Sequence, residues 1–171
     1  PFSILGPHQV GEGAWEVRAV LPDARAATLI VGDERIPFER RHPEGFFVAR
    51  VASQGRPLYE LELEGHDGVR RCRHDPYGFG SSIDQSDVAA LREIGTNTVY
   101  RVLGAHQGTL DGIAGFRFAV WAPNARRVSV VGDFNDWDGR RHPMRLWQDG
   151  GIWELFIPGL KAGGHYKYEL R

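Results

Sequence analysis

The sequence predicts an all-β fold of two tandem immunoglobulin-like β-sandwiches joined by a short helical linker. Three observations predict it: short segments of alternating apolar and polar residues, turn-forming residues at regular intervals between them, and a second half that repeats motifs of the first. Alternation with a period of two is typical of a strand with one buried face. Short strands with regular turns between them are typical of a β-sandwich.

The clearest strand of the second half is "FRFAVWA". Phe116, Phe118 and Val120 fall on one face of it, whereas Arg117 and Ala119 fall on the other. Further strands are predicted at 128–132, 151–157 and 166–171. Glycine, proline, asparagine and aspartate separate them, as expected for turns, at 122–124, 132–133, 149–151, 158–159 and 163–164.

The two halves share five motifs in the same order. Residues 5–9, 21–25, 31–33, 40–43 and 59–63 match residues 103–107, 122–126, 131–133, 140–143 and 166–170. Repeated order points to two copies of one small sandwich. We therefore expect residues from about 10 to 75 and from about 110 to 171 to share one topology.

A different kind of segment lies between the copies. Apolar residues at helical spacing predict a short helix near 86–94, namely Val88, Leu91 and Ile94. Asp84 or Ser86 is expected to cap its start and Gly95 to end it. The predicted organisation is a sandwich over 1–80, a linker over 81–102 and a second module over 103–171, truncated at its C-terminal end.

The aromatic loop "HDPYGFG" at 74–80 precedes that linker. Its composition of proline, glycine, tyrosine and phenylalanine suits a rigid loop that packs its aromatic rings. The sequence alone does not name the surface on which they pack.

Composition narrows the classes of function. The formal net charge is -1 with both signs interspersed, so neither nucleic acid nor a membrane surface is an expected partner. The single Cys72 excludes an internal disulfide, and the absence of a signal-like stretch favours a cytoplasmic location. His66, Cys72 and His74 match no common zinc spacing, so no metal or other cofactor is expected. A chain that begins at Pro1 and stops within a strand-like run suggests a piece of a longer protein.

The motifs at 103–107, 116–144, 151–160 and 166–170 closely resemble the N-terminal region of bacterial 1,4-α-glucan (glycogen) branching enzymes. The second copy is similar to a carbohydrate-binding module of family 48, and the first to an extra N-terminal sandwich that a subset of these enzymes carries. In that family the modules precede a catalytic (β/α)8 barrel, which cuts an α-1,4 bond and re-forms it as an α-1,6 branch. A barrel takes roughly 250 residues, so we expect no catalytic residues in this chain of 171.

The resemblance implies that Trp137 stacks on glucose and that Lys167 bonds a sugar hydroxyl. Physical chemistry supports an aromatic plate, because an uncharged glucan offers flat faces of C–H groups rimmed by hydroxyls. Alternation also turns Lys167 outward if Tyr166 and Tyr168 face inward. The sequence leaves a second role open for each: Trp137 as a cover of the sandwich edge, and Lys167 as a solvated surface residue.

Other candidates have less specific signals. Asn135 is expected to cap the turn or to touch sugar, and Trp147 to lie at the rim of the site. Trp121 and Trp153, in predicted strands, are expected to be structural, as is Trp15 in the first copy.

The first copy has Pro37 and Glu60 where the second has Trp137 and Lys167. This copy is therefore expected to be a spacer or a brace.

Two functions follow for the chain as a whole. It either binds α-glucan (glycogen and malto-oligosaccharides) for the catalytic barrel of the same full-length chain, or it is a purely structural brace that sets the transferred chain length. An immunoglobulin-like adhesion module is a poor third alternative, since secretion and disulfide signals are lacking.

Overall fold

The computed structural model describes residues 1–92, 99–147 and 150–171, which form antiparallel sheets with little helix. The predicted all-β class is confirmed. The chain divides into two compact units, Phe2–Phe79 and Gly80–Arg171. In its described part the longest helix has eight residues, and none has the length or apolarity that crossing a bilayer requires.

The first unit contains two four-stranded antiparallel sheets. Their strand orders are β1-β2-β6-β5 and β4-β3-β7-β8, with β1 at Gly6–Gly11, β2 at Ala14–Val20, β3 at Ala24–Val31, β4 at Glu34–Pro37, β5 at Glu39–His42, β6 at Phe46–Ala52, β7 at Glu60–Gly65 and β8 at Arg70–His74. Alternating residues along these strands have buried side chains that form the core, among them Val17, Leu29, Phe47 and Leu61. This is the period-two burial that the sequence predicts.

The aromatic loop that ends this unit closes over a buried carboxylate. Asp75 accepts hydrogen bonds from the Tyr59 hydroxyl at 2.7 Å and from the main-chain N–H of Tyr77 at 3.0 Å. Burial raises the pKa of Asp75 and, more strongly, that of Tyr59. The ring of Tyr77 also packs edge-on against Phe2 at 5.1 Å. The aromatic rings of this loop therefore pack within their own unit.

The second unit is a four-stranded sheet and a two-stranded sheet preceded by two short helices. The sheet orders are β12-β13-β10-β9 and β11-β14, with α1 at Gln85–Arg92, α2 at Val99–Val102, β9 at Gly104–Leu110, β10 at Ile113–Trp121, β11 at Val128–Gly132, β12 at Arg145–Trp147, β13 at Ile152–Pro158 and β14 at Tyr166–Leu170. Its fully buried side chains include Phe118, Val128, Val130, Met144 and Leu155. One turn of 3-10 helix, Asp133–Asn135, follows β11.

Helix α1 begins with a reciprocal cap between Asp84 and Asp87. Asp84 Oδ1 accepts from the N–H of Asp87 at 2.9 Å, and Asp87 Oδ2 accepts from the N–H of Asp84 at 3.2 Å. Asp84 is therefore the N-cap, of the two candidates in the sequence. The predicted end of this helix, at Ile94 and Gly95, lies outside the described residues.

The segment that the sequence assigns to a linker packs onto the second unit. Ile83, Val88 and Val102 are buried in one cluster with Ala119 and Ile152 of the four-stranded sheet. Burial of three apolar side chains explains why this segment joins that unit.

The two units have the same order of equivalent strands. The order β1-β2-β6-β5 of the first unit corresponds to β9-β10-β13-β12 of the second, and the pair β3-β7 corresponds to β11-β14. This agrees with the like topology that the five repeated motifs predict. The first unit adds β4 and β8 on either side of its β3-β7 pair.

Candidate functional site

The turn that follows β11 is anchored by two side chains. Phe134 packs its ring 6.0 Å from the buried ring of Phe118. Asn135 is only 2% exposed: its Oδ1 accepts from the N–H of Gly132, and its Nδ2 donates to the carbonyl of Val130, both at 2.9 Å. Of the two roles that the sequence leaves open for Asn135, this geometry is that of the cap.

Trp137 lies just beyond this anchored turn and is 44% exposed. Its N–H donates to the carbonyl of Gly132 at 3.1 Å, and its indole Nε1–H donates to Asp133 Oδ1 at 3.2 Å. Asp136 and Trp137 both have positive φ, 55° and 59°. A bulky side chain rarely adopts that conformation, so the surrounding hydrogen bonds hold Trp137 in a strained position.

Lys167 is exposed on β14, directly across from Val131 of β11. Its neighbour Tyr168 faces inward, with its hydroxyl within 3.2 Å of main-chain oxygens of β9 and β10, and burial raises its pKa. Tyr166 packs against Phe118 at a ring distance of 5.0 Å but is still 37% exposed. The predicted alternation therefore holds at Lys167 and Tyr168 and is weaker at Tyr166.

The Trp137 turn and strand β14 meet at one end of the two-stranded sheet. The N–H of Asp133 donates to the carbonyl of His165 at 3.2 Å. A Cβ on Gly132 would collide with that same carbonyl, so this close approach requires glycine. Trp137 and Lys167 are thus carried by neighbouring elements.

Trp147 takes a different position. It is half-buried at the end of β12, and its indole Nε1–H lies 2.9 Å from Ser81 Oγ and 3.1 Å from Glu154 Oε1. It also packs against the cluster that buries α1. The structure therefore places Trp147 against this cluster, on the four-stranded sheet, whereas Lys167 lies on the two-stranded sheet.

The remaining tryptophans differ in exposure. Trp153 is buried and donates its indole N–H to the carbonyl of Ala122 at 3.0 Å, and Trp15 packs on the first core and donates to Ser53 at 3.1 Å. Trp121, expected to be structural, is instead 62% exposed. It is the last residue of β10, where the covered face of the sheet ends.

The first unit has a hairpin where the second has the Trp137 turn. Gly32, with φ of 57°, starts a tight two-residue turn that joins β3 to β4. Gly132, its equivalent, has an extended φ of 178°. Pro37 consequently lies within β4, opposite Thr28, and Glu60 lies on β7 opposite Ile30.

Two of the possible metal ligands lie on strand β8. Cys72 is exposed on β8, and His74 lies with its Nε2 3.7 Å from Glu60. Throughout residues 1–92, 99–147 and 150–171, no three histidine, cysteine, aspartate or glutamate side chains are grouped so as to hold a metal ion.

The second unit belongs with the carbohydrate-binding modules, and a second sandwich precedes it in the chain. Residues 102–171 match the family described as "Carbohydrate-binding module 48 (Isoamylase N-terminal domain)", and residues 1–77 match "alpha-1,4-glucan branching enzyme GlgB, N-terminal domain". The chain belongs to the N-terminal region of the 1,4-α-glucan branching enzyme family.

Similar proteins include longer chains named as 1,4-α-glucan branching enzymes. The "1,4-alpha-glucan branching enzyme GlgB 2" of Rhizobium johnstonii is 52% identical over 99% of this chain and 23% of the relative. The "1,4-alpha-glucan branching enzyme GlgB" of Paramagnetospirillum magneticum is 46% identical over the same shares. The chain thus spans 23% of the length of these relatives. Pullulanase type I from Bacillus subtilis str. 168, complexed with maltose, matches 96% of this chain and 22% of its own at 15% identity, with a TM-score of 0.33, which is too low to support an argument.

Proposed function

We propose that the chain is the non-catalytic, glucan-binding region of a branching enzyme of glycogen biosynthesis in the cytoplasm. In this proposal the second unit holds α-glucan through Trp137 and Lys167. The region positions that glucan for a catalytic barrel elsewhere in the full-length chain, which transfers an α-1,4-linked segment to form an α-1,6 branch. The exposed, strained Trp137 is the observation that carries the proposal.

The packing of the turn favours the sugar plate over the edge cover for Trp137. Phe134 already fills the sandwich edge against Phe118, and Asn135 already caps the turn. Trp137 is therefore not needed to close the core. Backbone strain that the surrounding structure maintains is common at binding sites.

Lys167 supplies what an aromatic plate lacks. An ammonium group offers three donors and no acceptor, which suits the hydroxyls around a sugar ring. Among the described residues, no carboxylate forms an ion pair with Lys167. Its donors are therefore available to a ligand.

The first unit serves as a spacer or brace in this proposal. The place that corresponds to the Trp137 turn is occupied by the β3-β4 hairpin, and the equivalents of Trp137 and Lys167 are a proline and a glutamate. Neither residue provides a plate or a donor for sugar.

The replacement Trp137→Ala tests the proposal. Truncating an aromatic hot spot costs about 2 kcal/mol or more, close to a thirtyfold loss of affinity, so retardation of the chain in glycogen-containing gels should disappear. Its melting temperature should remain nearly unchanged. Lys167→Ala should weaken retardation less.

The matched control is Trp121→Ala, which removes an exposed tryptophan from the other sheet. It should leave retardation unchanged. If Trp137→Ala instead keeps full retardation and lowers the melting temperature by several degrees, the structural-brace function replaces glucan binding.

A further inference from the structure

Asp133 lies at the centre of the contacts that hold the Trp137 turn. Its Oδ1 accepts the indole Nε1–H of Trp137 at 3.2 Å. Its Oδ2 accepts the main-chain N–H of His165 at 2.9 Å and lies 3.2 Å from His165 Nδ1. With its own N–H bonded to the carbonyl of His165, this one residue contacts both elements of the site.

These contacts have a consequence for geometry. Trp137 follows Asp133 by four residues, and His165 comes just before β14, two residues ahead of Lys167. Fixing both partners on one carboxylate fixes the ring of Trp137 relative to the start of the strand that carries Lys167.

We propose that Asp133 is a positioning residue, which orients the indole ring of Trp137 and ties its turn to the Lys167 strand before glucan binds. This inference rests on the proposed function of Trp137 as a sugar plate. It assigns Asp133 no direct contact with sugar.

The charge of Asp133 suits this role. The main-chain N–H of His165, followed by its side chain, holds the pKa of the Asp133 carboxyl below its ordinary value, so the group is a carboxylate at neutral pH. An ionised carboxylate accepts several hydrogen bonds at once, and those to a charged acceptor are stronger than neutral ones. A neutral side chain of similar size cannot serve all these donors together.

An oriented ring favours binding through entropy. Trp137 is 44% exposed, and an exposed side chain that is free to rotate must be ordered when a ligand stacks on it. Ordering one such side chain weakens affinity by about threefold to tenfold. Because Asp133 already orders the Trp137 ring in the free protein, part of this entropy loss does not occur on binding.

The test follows the Trp137 indole N–H directly by NMR in the absence of sugar. The chain has five tryptophans, and the resonance that disappears in Trp137→Phe identifies the relevant one. In Asp133→Ala we expect this proton to shift upfield and to exchange faster with water, while the other four indole resonances stay in place.

Affinity for maltoheptaose is the second readout. Asp133→Ala should weaken binding by about threefold to tenfold, the cost of ordering one side chain. Asp133→Asn retains one acceptor oxygen and should fall between wild type and alanine in both readouts. The matched control is Asp33→Ala, at the equivalent position of the unit without a tryptophan turn, and it should change neither.

The two readouts separate this inference from the proposed function. An indole resonance that does not respond to Asp133→Ala overturns the positioning role, even if affinity falls, because the residue then acts on sugar directly. If the resonance responds to Asp133→Ala as expected but the wild-type chain does not bind maltoheptaose, the contact between Asp133 and the ring stands. Glucan binding is then refuted instead.

Discussion

At the scale of single residues, two consecutive left-handed residues set the path of the Trp137 turn. Asp136 and Trp137 have φ of 55° and 59°, a conformation that costs an L-residue about 1–2 kcal/mol. The carboxylate of Asp136 is largely exposed, and its ion pair with Arg141 is long at 3.5 Å. The backbone, and not the side chain, is therefore the main contribution of Asp136.

Asp136→Gly should stabilise the second unit. Glycine relieves the strain, but its greater conformational freedom in the unfolded state offsets part of that stabilisation. We expect a net increase of about 0.5–1 kcal/mol in the free energy of unfolding, measured in urea. Asp138→Gly is the control, because Asp138 bonds Arg140 at 2.9 Å and has no positive φ. A loss of stability in Asp136→Gly equal to that of the control would show that strain at this position is negligible.

Single-residue roles were predictable where local chemistry decides them. Asn135 as a cap and Trp137 on a turn follow from the types of residue in "GDFNDW". The exposure of Trp121 and the use of Trp147 in packing α1 depend on where a sheet face ends and on what covers it, which alternation alone does not encode. The role inferred for Asp133 was missed, although an aspartate four residues before an exposed tryptophan was a visible signal.

At the scale of elements, a buried carboxylate joins the start of the α1 segment to the four-stranded sheet. Glu154 of β13 is 2% exposed. It accepts from the N–H and hydroxyl of Ser82 at 2.9 and 2.6 Å, from the hydroxyl of Ser81, and from the indole of Trp147 at 3.1 Å. One side chain therefore accepts from donors of two separate segments, the residues just before α1 and strand β12.

Glu154→Ala should loosen this junction strongly. It leaves several donors of this part-buried junction without an acceptor, so we expect a loss of about 3 kcal/mol in the free energy of unfolding and faster hydrogen exchange in α1. Glu154→Gln, which retains one acceptor oxygen, should lose less. Glu169→Ala, which removes a part-exposed partner of Arg127, should cost less than about 1 kcal/mol. Equal effects of the two alanine variants would contradict the role of Glu154.

The elements themselves were predicted to different extents. Strands β10, β11, β13 and β14 follow from alternation and turn residues. Helix α2 was not predicted, since four residues are too few to show a helical period. Strand β12 was not predicted either, because three residues do not reveal alternation. Its pairing with β13 is a long-range contact.

At the scale of the whole molecule, the described residues form two β-sandwiches and not a barrel. Retaining glucan transfer needs two carboxylates about 5 Å apart, which the branching enzyme family holds on its barrel. The purified chain should therefore leave the iodine staining of amylose unchanged with time, whereas a complete branching enzyme should reduce it. A decrease with the chain alone would overturn the proposal that it is non-catalytic.

The tandem arrangement was predictable from the five ordered motifs, and the equivalent strand orders agree with it. The packing of Ile83, Val88 and Val102 onto the second unit was not predictable, because a helical pattern does not show which neighbour buries the helix. The different backbone paths after "VGD" were also not predictable from the sequence, since both copies have the same three residues there.

Those paths bear on how two units of like strand order come to present different surfaces. With Gly32 at φ of 57° and Gly132 at 178°, two copies of an identical tripeptide lead into a β-hairpin in one case and a projecting turn in the other. The two units therefore differ here in the path of the backbone as well as in the side chains at positions 37 and 137. A tryptophan in place of Pro37 would lie in the edge strand β4 and not at the tip of a turn. For protein engineering, transfer of this turn to another sandwich should therefore move the whole segment from Val131 to Met144 and not Trp137 alone.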